Sequence, residues 1–182
     1  MEQKDYKLEI VGVLLKKQCH IREIAKILEI NHMTVLRKIK ELSKENIVDY
    51  NKEGKNKVYF LKKTIESKIY AYTFENYNLL IIIKKYPFLR SIIEKIQRNP
   101  KVNLTILFGS YAKGNPKKES DVDIYIENKN PRLKKEIENI DTRLSVKIGE
   151  YNKSNLLIKE IEKNHVIIKG VESYYERNKF FE

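Results

Sequence analysis

Two aspartates separated by one residue form the part of this sequence whose spacing best suits chemistry. Asp121 and Asp123 flank Val122 in a run of alternating polar and apolar residues, a pattern that predicts a β-strand. Because alternate side chains of a strand point to the same face, both carboxylates should project together while Val122 and Ile124 point into the core. Paired carboxylates bind hard divalent cations such as Mg²⁺, which prefer oxygen ligands and bridge to phosphate oxygens. The pair therefore predicts a metal site for a phosphorylated substrate.

A glycine-serine pair precedes these aspartates. Gly109 and Ser110 follow an apolar run at 102–108, which predicts a strand that ends in a tight turn. Glycine adopts backbone conformations that other residues avoid and leaves room for a phosphate, and the serine adds a hydroxyl donor. Lys113 lies in the basic loop that follows and is placed to reach a triphosphate. Together with the aspartates, these residues predict a nucleoside-triphosphate site.

The order Gly109-Ser110, ten residues, then Asp121-Val122-Asp123 resembles the motif of the polymerase-beta-like nucleotidyltransferase superfamily, and most closely its minimal nucleotidyltransferases. The resemblance covers residues 87–182. It implies that the Gly-Ser turn opens a helix that holds the triphosphate, and that both aspartates are catalytic and bind two Mg²⁺ ions. It also implies transfer of a nucleoside monophosphate to a hydroxyl with release of pyrophosphate, with ATP favoured as the nucleotide.

The family usually has a third carboxylate on a later strand, and this sequence departs from that pattern. The candidate strand, at 143–148, has no acid on the face opposite its apolar residues; that face carries Arg143, Ser145 and Lys147. Glu127 and Glu150 are the candidates for a substitute. Two functions therefore stay open. One is an enzyme that modifies a hydroxyl of a protein or RNA acceptor, similar to the antitoxins of minimal-nucleotidyltransferase systems that adenylylate a partner toxin. The other is a transcriptional regulator whose nucleotidyltransferase fold only binds nucleotide.

The first 64 residues show a different pattern. Three apolar repeats at helical spacing are followed by β-rich runs at 47–50 and 57–61, with Gly54 at the tip of the loop between them. Three helices and a basic hairpin resemble a winged helix-turn-helix domain, which implies duplex DNA as a partner. The third helix would read bases and the hairpin would contact phosphates. The predicted base readers are Asn31, His32, Thr34 and Arg37, and the predicted phosphate contacts are Lys38, Lys52, Lys55 and Lys57.

An apolar stripe without Gly or Pro predicts a long helix between these two parts. The stripe either packs on a core or pairs with a second copy of the chain, so the sequence allows a homodimer. The expected fold class is α+β. The expected domains are a winged helix-turn-helix domain at 1–64, a connecting helix at 65–86, and a nucleotidyltransferase-like domain with a small mixed sheet at 87–182.

Composition limits the partners and the location of the protein. The net charge of +12 favours an anionic partner. A single cysteine, Cys19, cannot form an internal disulfide, which fits a reducing cytoplasm. The longest wholly apolar run, at 79–83, is far too short to cross a membrane, so no membrane partner is expected. A cytoplasmic protein is therefore predicted.

Overall fold

Residues 4–182 are described by a computed structural model, and the chain divides into two units. One unit runs to Tyr77 and includes Phe180–Glu182, and the other is Asn78–Lys179. Each unit has an apolar core of its own. The domain boundaries expected from the sequence, at residues 64 and 86, stay a prediction.

Three helices open the first unit, where the sequence shows helical periodicity. They are α1 (Tyr6–Lys16), α2 (Ile21–Leu28) and α3 (His32–Lys44). The carboxylate of Asp5 caps α1 by accepting hydrogen bonds from the backbone N–H groups of Lys7 and Leu8. Asn31 caps α3 through a bond from the N–H of Met33. The apolar faces of the helices meet in one core, which contains Ile10, Val11, Ile24, Val35, Ile39 and Leu42.

An antiparallel hairpin follows these helices. Its strands are β1 (Val48–Glu53) and β2 (Asn56–Leu61). They are longer than the sequence predicts, because pairing extends to Glu53 and Asn56 and leaves only Gly54 and Lys55 in the turn. Gly54 has a φ of 60°, a value that favours glycine in a two-residue turn. Three helices and this hairpin make a winged helix-turn-helix fold, which confirms the fold predicted for this part of the chain.

A helix of 21 residues, α4 (Ile65–Lys85), occupies the segment where the apolar stripe predicts a connecting helix. The division between the two units falls within it. Among residues 4–182, no helix has the length and apolar character needed to span a membrane.

A four-stranded mixed sheet forms the centre of the second unit. Its elements in chain order are α5 (Leu89–Arg98), β3 (Thr105–Phe108), α6 (Gly109–Ala112), β4 (Val122–Glu127), α7 (Pro131–Glu138), β5 (Leu144–Gly149), α8 (Leu156–Lys163), β6 (Val166–Lys169) and α9 (Val171–Asn178). The strand order is β5-β4-β3-β6. Strand β3 is antiparallel to β4 and β6, whereas β4 and β5 are parallel. The predicted small mixed sheet, and with it the α+β class, is confirmed.

Strand β4 is buried along most of its length, and its half-buried residues are Asp123 near the start and Glu127 at the end. Val122 and Ile124 are fully buried in the core on one face, as their alternation with the aspartates predicts. That core also contains Leu89, Ile92 and Ile96 of α5, Leu133 and Ile137 of α7, and Val146 of β5. On the other face, Tyr125 is buried and its hydroxyl donates to the carbonyl of Gly149 at 2.9 Å. Asp121 and Asp123 therefore lie where the polar face of β4 begins, and Glu127 lies at the other end of that face.

Gly170, between β6 and α9, is expected to be essential for the stability of the second unit. Its φ is 84°, and a Cβ there would lie 2.2 Å from the carbonyl oxygen of Asn103. Gly170→Ala should therefore lower the free energy of unfolding by about 1–3 kcal/mol, because the backbone must move to relieve the clash. Urea denaturation measures this loss.

The matched control is Gly149→Ala in the same unit. A Cβ at Gly149 would meet nothing within 4 Å, so this variant should stay within about 0.5 kcal/mol of the wild type. Equal unfolding midpoints for the two variants would show that the Gly170 contact does not constrain the fold.

Candidate functional site

The motif residues meet at one edge of the four-stranded sheet. Strand β3 ends at Phe108, which pairs with Asp123 of the antiparallel strand β4. Gly109 and Ser110, the first residues of α6, therefore follow β3 directly beside the aspartates. Parallel strand β5 places Ser145 opposite Asp123. The predicted grouping of the Gly-Ser turn with the aspartate pair is thus present in the fold.

Gly109 is held against the carboxylate of Asp123. Its φ is 70°, and a Cβ there would lie 2.3 Å from Oδ2 of Asp123. Any larger residue would displace the carboxylate or distort the turn. The structure shows that this glycine makes room for the aspartate. Its role beside a phosphate, expected from the sequence, stays a prediction.

The two aspartates differ in their surroundings. Asp121 is exposed just before β4 begins, and Asp123 is half-buried. The pKa of Asp123 is raised, chiefly by burial and further by the negative charge of Asp121. A hydrogen bond from the Ser145 hydroxyl and the positive charge of Lys147 act in the opposite direction and offset part of the rise. The ionised form of Asp123 is therefore disfavoured in the protein alone, and a cation bound between the carboxylates would stabilise it.

The donor atoms at this edge fit a hard divalent cation. They are the carboxylates of Asp121 and Asp123 and the hydroxyl of Ser145, which bonds Asp123, and all of them are oxygens. In the part of the chain that the structure describes, no cluster of three or more His, Cys, Asp and Glu side chains could hold a metal ion. The protein therefore offers two acidic ligands at this site.

Both acids considered as substitutes for a third carboxylate are bound to other partners. Arg177 of α9 donates from Nε and Nη2 to the two carboxylate oxygens of Glu127, at 3.0 and 3.2 Å. Glu150 forms an ion pair with Lys129 and is 72% exposed. Ser145 is thus the polar side chain that β5 places beside Asp123. Alternation along the sequence indicates that Ser145 lies on the face of the strand that looks toward the aspartates, and the register of β5 with β4 sets it opposite Asp123.

Positive charge surrounds the loop between the Gly-Ser turn and the aspartates. Lys113 forms an ion pair with Glu160 of α8 at 3.1 Å, and both side chains are nearly half exposed. Such a surface pair is weak, so Lys113 can exchange its partner for a phosphate. Lys85 donates to the carbonyl of Gly114 at 2.7 Å and anchors the loop. Lys117 lies exposed farther along it.

The eight residues predicted to contact DNA occupy α3 and the hairpin. Those that lie exposed are Asn31, His32, Arg37, Lys52, Lys55 and Lys57, while Thr34 and Lys38 are partly buried. Asn31 uses its side-chain oxygen as a helix cap, which leaves its amide nitrogen for another partner. Lys38 pairs with Glu41 at 3.0 Å, and the ammonium of Lys57 lies 3.8 Å from the ring centroid of Tyr50. Arg37 on α3 and Lys55 in the turn are both exposed.

Comparison with known proteins identifies the second unit. Residues 90–173 match the family model described as Polymerase beta, Nucleotidyltransferase. This match confirms the superfamily that the Gly-Ser and Asp-Val-Asp motif predicts, and the second unit is a nucleotidyltransferase-family domain. No curated protein matches the chain.

Two solved structures show similarity to the chain, each at 18% identity and a TM-score of 0.35. The transcriptional repressor BigR from Xylella fastidiosa is matched over 37% of this chain and 67% of that chain. A homodimeric winged helix-turn-helix DNA-binding domain from Mycobacterium bovis is matched over 44% of this chain and 70% of that chain. The winged helix-turn-helix assignment rests on the helices and hairpin of the first unit itself.

Asp123→Asn should stabilise the metal-free protein at neutral pH. A carboxyl whose folded-state pKa is raised contributes its stability below the unfolded-state value, 3.8, and loses it as the pH rises through the raised pKa. Asparagine has no charge to desolvate and still accepts a hydrogen bond from Ser145. The stabilisation should therefore be present at pH 7 and disappear near pH 4, as measured by urea unfolding midpoints with a chelator present.

Asp141→Asn is the control, because its effect on stability at pH 7 should be opposite to that of Asp123→Asn. The Arg143 guanidinium lowers the pKa of Asp141 to about 2, so that carboxylate contributes stability above pH 3.8 which is lost as the pH falls. Asp141→Asn should destabilise the protein at pH 7. Destabilisation by Asp123→Asn at pH 7 would show that burial does not disfavour the Asp123 carboxylate.

Proposed function

We propose that this protein binds duplex DNA through its winged helix-turn-helix unit and, in its second unit, transfers a nucleoside monophosphate from a Mg²⁺-bound nucleoside triphosphate to a hydroxyl of a protein or RNA acceptor. ATP is the first nucleotide to test. The observation that supports the transferase most is the approach of the Gly109 backbone to the carboxylate of Asp123, in a domain of the nucleotidyltransferase family.

Each residue of the site has a role in this reaction. Asp121 and Asp123 would hold two Mg²⁺ ions, which when bound neutralise the triphosphate and lower the pKa of the acceptor hydroxyl. Ser110 donates to a phosphate oxygen, and Lys113 neutralises charge on the departing pyrophosphate. The acceptor oxygen forms a bond to the α-phosphorus, and the bond from that phosphorus to the oxygen bridging to the β-phosphate breaks. Pyrophosphate leaves, and the hydroxyl proton passes to water.

Ser145 gives a specific reason for a second candidate function. A serine beside Asp123 cannot take the proton of the acceptor hydroxyl as a carboxylate would. Its presence should therefore lower the rate of transfer more than the affinity for nucleotide. In this alternative the site binds Mg²⁺ and nucleotide without turnover, and the bound nucleotide changes DNA affinity by about 1–3 kcal/mol. The protein would then be a nucleotide-sensing transcriptional regulator in the cytoplasm.

A labelling experiment decides between the two candidates. With Mg²⁺, cell extract and ATP labelled on the α-phosphate, label should move to a protein or RNA acceptor. Asp123→Asn should abolish the transfer, because it removes charge that holds the metal ions. Glu136→Gln, on α7 and paired with Lys101, should transfer label like the wild type. If the protein binds nucleotide but transfers no label, the regulator function holds and the transferase function is rejected. If it does not bind nucleotide, both functions are rejected.

Duplex DNA binding should depend on α3 and the hairpin in different ways. Arg37→Ala should reduce discrimination between DNA sequences by about 1–3 kcal/mol, because a base contact is lost. Lys55→Ala should weaken binding to all sequences alike and lower the salt slope by about 0.9, because one phosphate contact is lost. Fluorescence anisotropy over a range of salt concentrations measures both effects.

Lys135→Ala, an exposed lysine of α7, is the matched control and should change neither quantity. Absence of DNA binding by the wild type even at low salt would leave the first unit as a protein-contact domain.

A further inference from the structure

Lys147 lies on the same face of the sheet as the aspartate pair. Strand β5 sets Ser145 opposite Asp123, and the Ser145 hydroxyl bonds to that carboxylate, so this face of β5 looks toward the site. Lys147 follows Ser145 by two residues along the strand and therefore shares its face. The positive charge of Lys147 acts on Asp123 and lowers its pKa. The register and the charge both place Lys147 near the aspartates.

The ammonium of Lys147 is available to a ligand. The side chain is exposed. Lys113, the other lysine assigned to this site, is paired with Glu160, whereas Lys147 forms no ion pair with an acid among residues 4–182. A lysine carries three N–H donors on a flexible stem and binds phosphate as a compact point charge. Lys147 is thus a cation near the aspartates that the reaction proposed above does not use.

The strand order β5-β4-β3-β6 gives the site two sides. The Gly-Ser turn continues β3 on one side of Asp123, and Lys113 after it contacts α8, which leads into β6. Ser145 and Lys147 belong to β5 on the other side. The residues proposed to hold the triphosphate therefore lie on the β3 side, and Lys147 lies on the β5 side.

The chemistry of the transfer assigns a role to each side. The attacking and leaving oxygens lie roughly in line on opposite sides of the phosphorus. Because the triphosphate is held on the β3 side, pyrophosphate leaves toward that side and the acceptor hydroxyl approaches from β5. A cation on the β5 side favours an acceptor that carries negative charge next to its hydroxyl. The terminal nucleotide of an RNA chain has this chemistry, since a phosphate joins it to the nucleotide before it.

We propose that the acceptor is the terminal hydroxyl of an RNA chain, and that Lys147 binds the phosphate next to that hydroxyl on the β5 side of the site. The inference rests on the proposed function and deepens it by choosing between the two acceptor classes. The RNA hydroxyl oxygen bonds to the α-phosphorus, the bond from that phosphorus to the oxygen bridging to the β-phosphate breaks, pyrophosphate leaves, and the hydroxyl proton passes to water. The net charge of +12 suits a polyanionic acceptor.

Lys147→Met tests this contact because it keeps most of the length of the side chain and removes its charge. Fluorescence anisotropy on the full chain with Mg²⁺ measures binding of a labelled single-stranded oligoribonucleotide, with excess duplex DNA present to occupy the first unit. The variant should lose RNA affinity about threefold to fivefold, and the salt slope should fall by about 0.7, as expected for one lost phosphate contact on a single strand. Calorimetry with a non-hydrolysable ATP analogue should give unchanged affinity. Lys147→Arg keeps the charge and should bind RNA like the wild type.

Lys135→Met on α7 is the matched control. Lys135 is also an exposed lysine of the second unit. Helix α7 packs on the opposite face of the sheet, in the core that contains Val122 and Ile124, so this change should leave both affinities unaltered.

Three results would overturn the proposal. Equal loss of RNA and ATP-analogue affinity in Lys147→Met would place the lysine on the triphosphate, and unchanged RNA affinity would show that it only faces solvent. Binding of the ATP analogue but not of RNA by the wild type would show that the acceptor is not RNA. If the wild type does not bind the ATP analogue, the proposed function fails instead, and the RNA titration decides the role of Lys147 by itself.

Discussion

The arrangement of the second unit depends on one close approach, between the backbone of Gly109 and the carboxylate of Asp123. The φ of 70° favours glycine there, and a Cβ would lie 2.3 Å from Oδ2, so any other residue would be strained and would displace the carboxylate. The contact requires β3 and β4 to pair so that Phe108 lies opposite Asp123. It also places the first residues of α6 beside Asp123.

The ionised carboxylate of Asp123 lowers the stability of the folded protein. Burial raises the pKa of Asp123, and the neighbouring charge of Asp121 raises it further, so ionising Asp123 is costly in the protein alone. The hydrogen bond from Ser145 and the charge of Lys147 offset only part of this cost. A cation bound between the two carboxylates would offset their mutual repulsion, so metal binding should stabilise the folded protein.

Local patterns in the sequence predicted the elements, and long-range pairing produced what they missed. The alternation around Val122 and Ile124 predicted which face of β4 is buried, and the motif with Gly109 predicted the family. The position of Ser145 beside Asp123 depends on the register of β5, and the bond from Arg177 to Glu127 joins residues 50 positions apart. Neither is encoded in the spacing of a single segment.

Titration of a non-hydrolysable ATP analogue into the protein, with and without Mg²⁺, tests the metal and nucleotide site most directly. The wild type should bind the analogue in a Mg²⁺-dependent manner. The double variant Asp121→Asn/Asp123→Asn keeps the shape of both side chains and removes their charge, so its affinity with Mg²⁺ should fall tenfold or more, about 1.4 kcal/mol. Equal Mg²⁺-dependent affinity in the wild type and the double variant would contradict the assignment of this edge of the sheet as the nucleotide site.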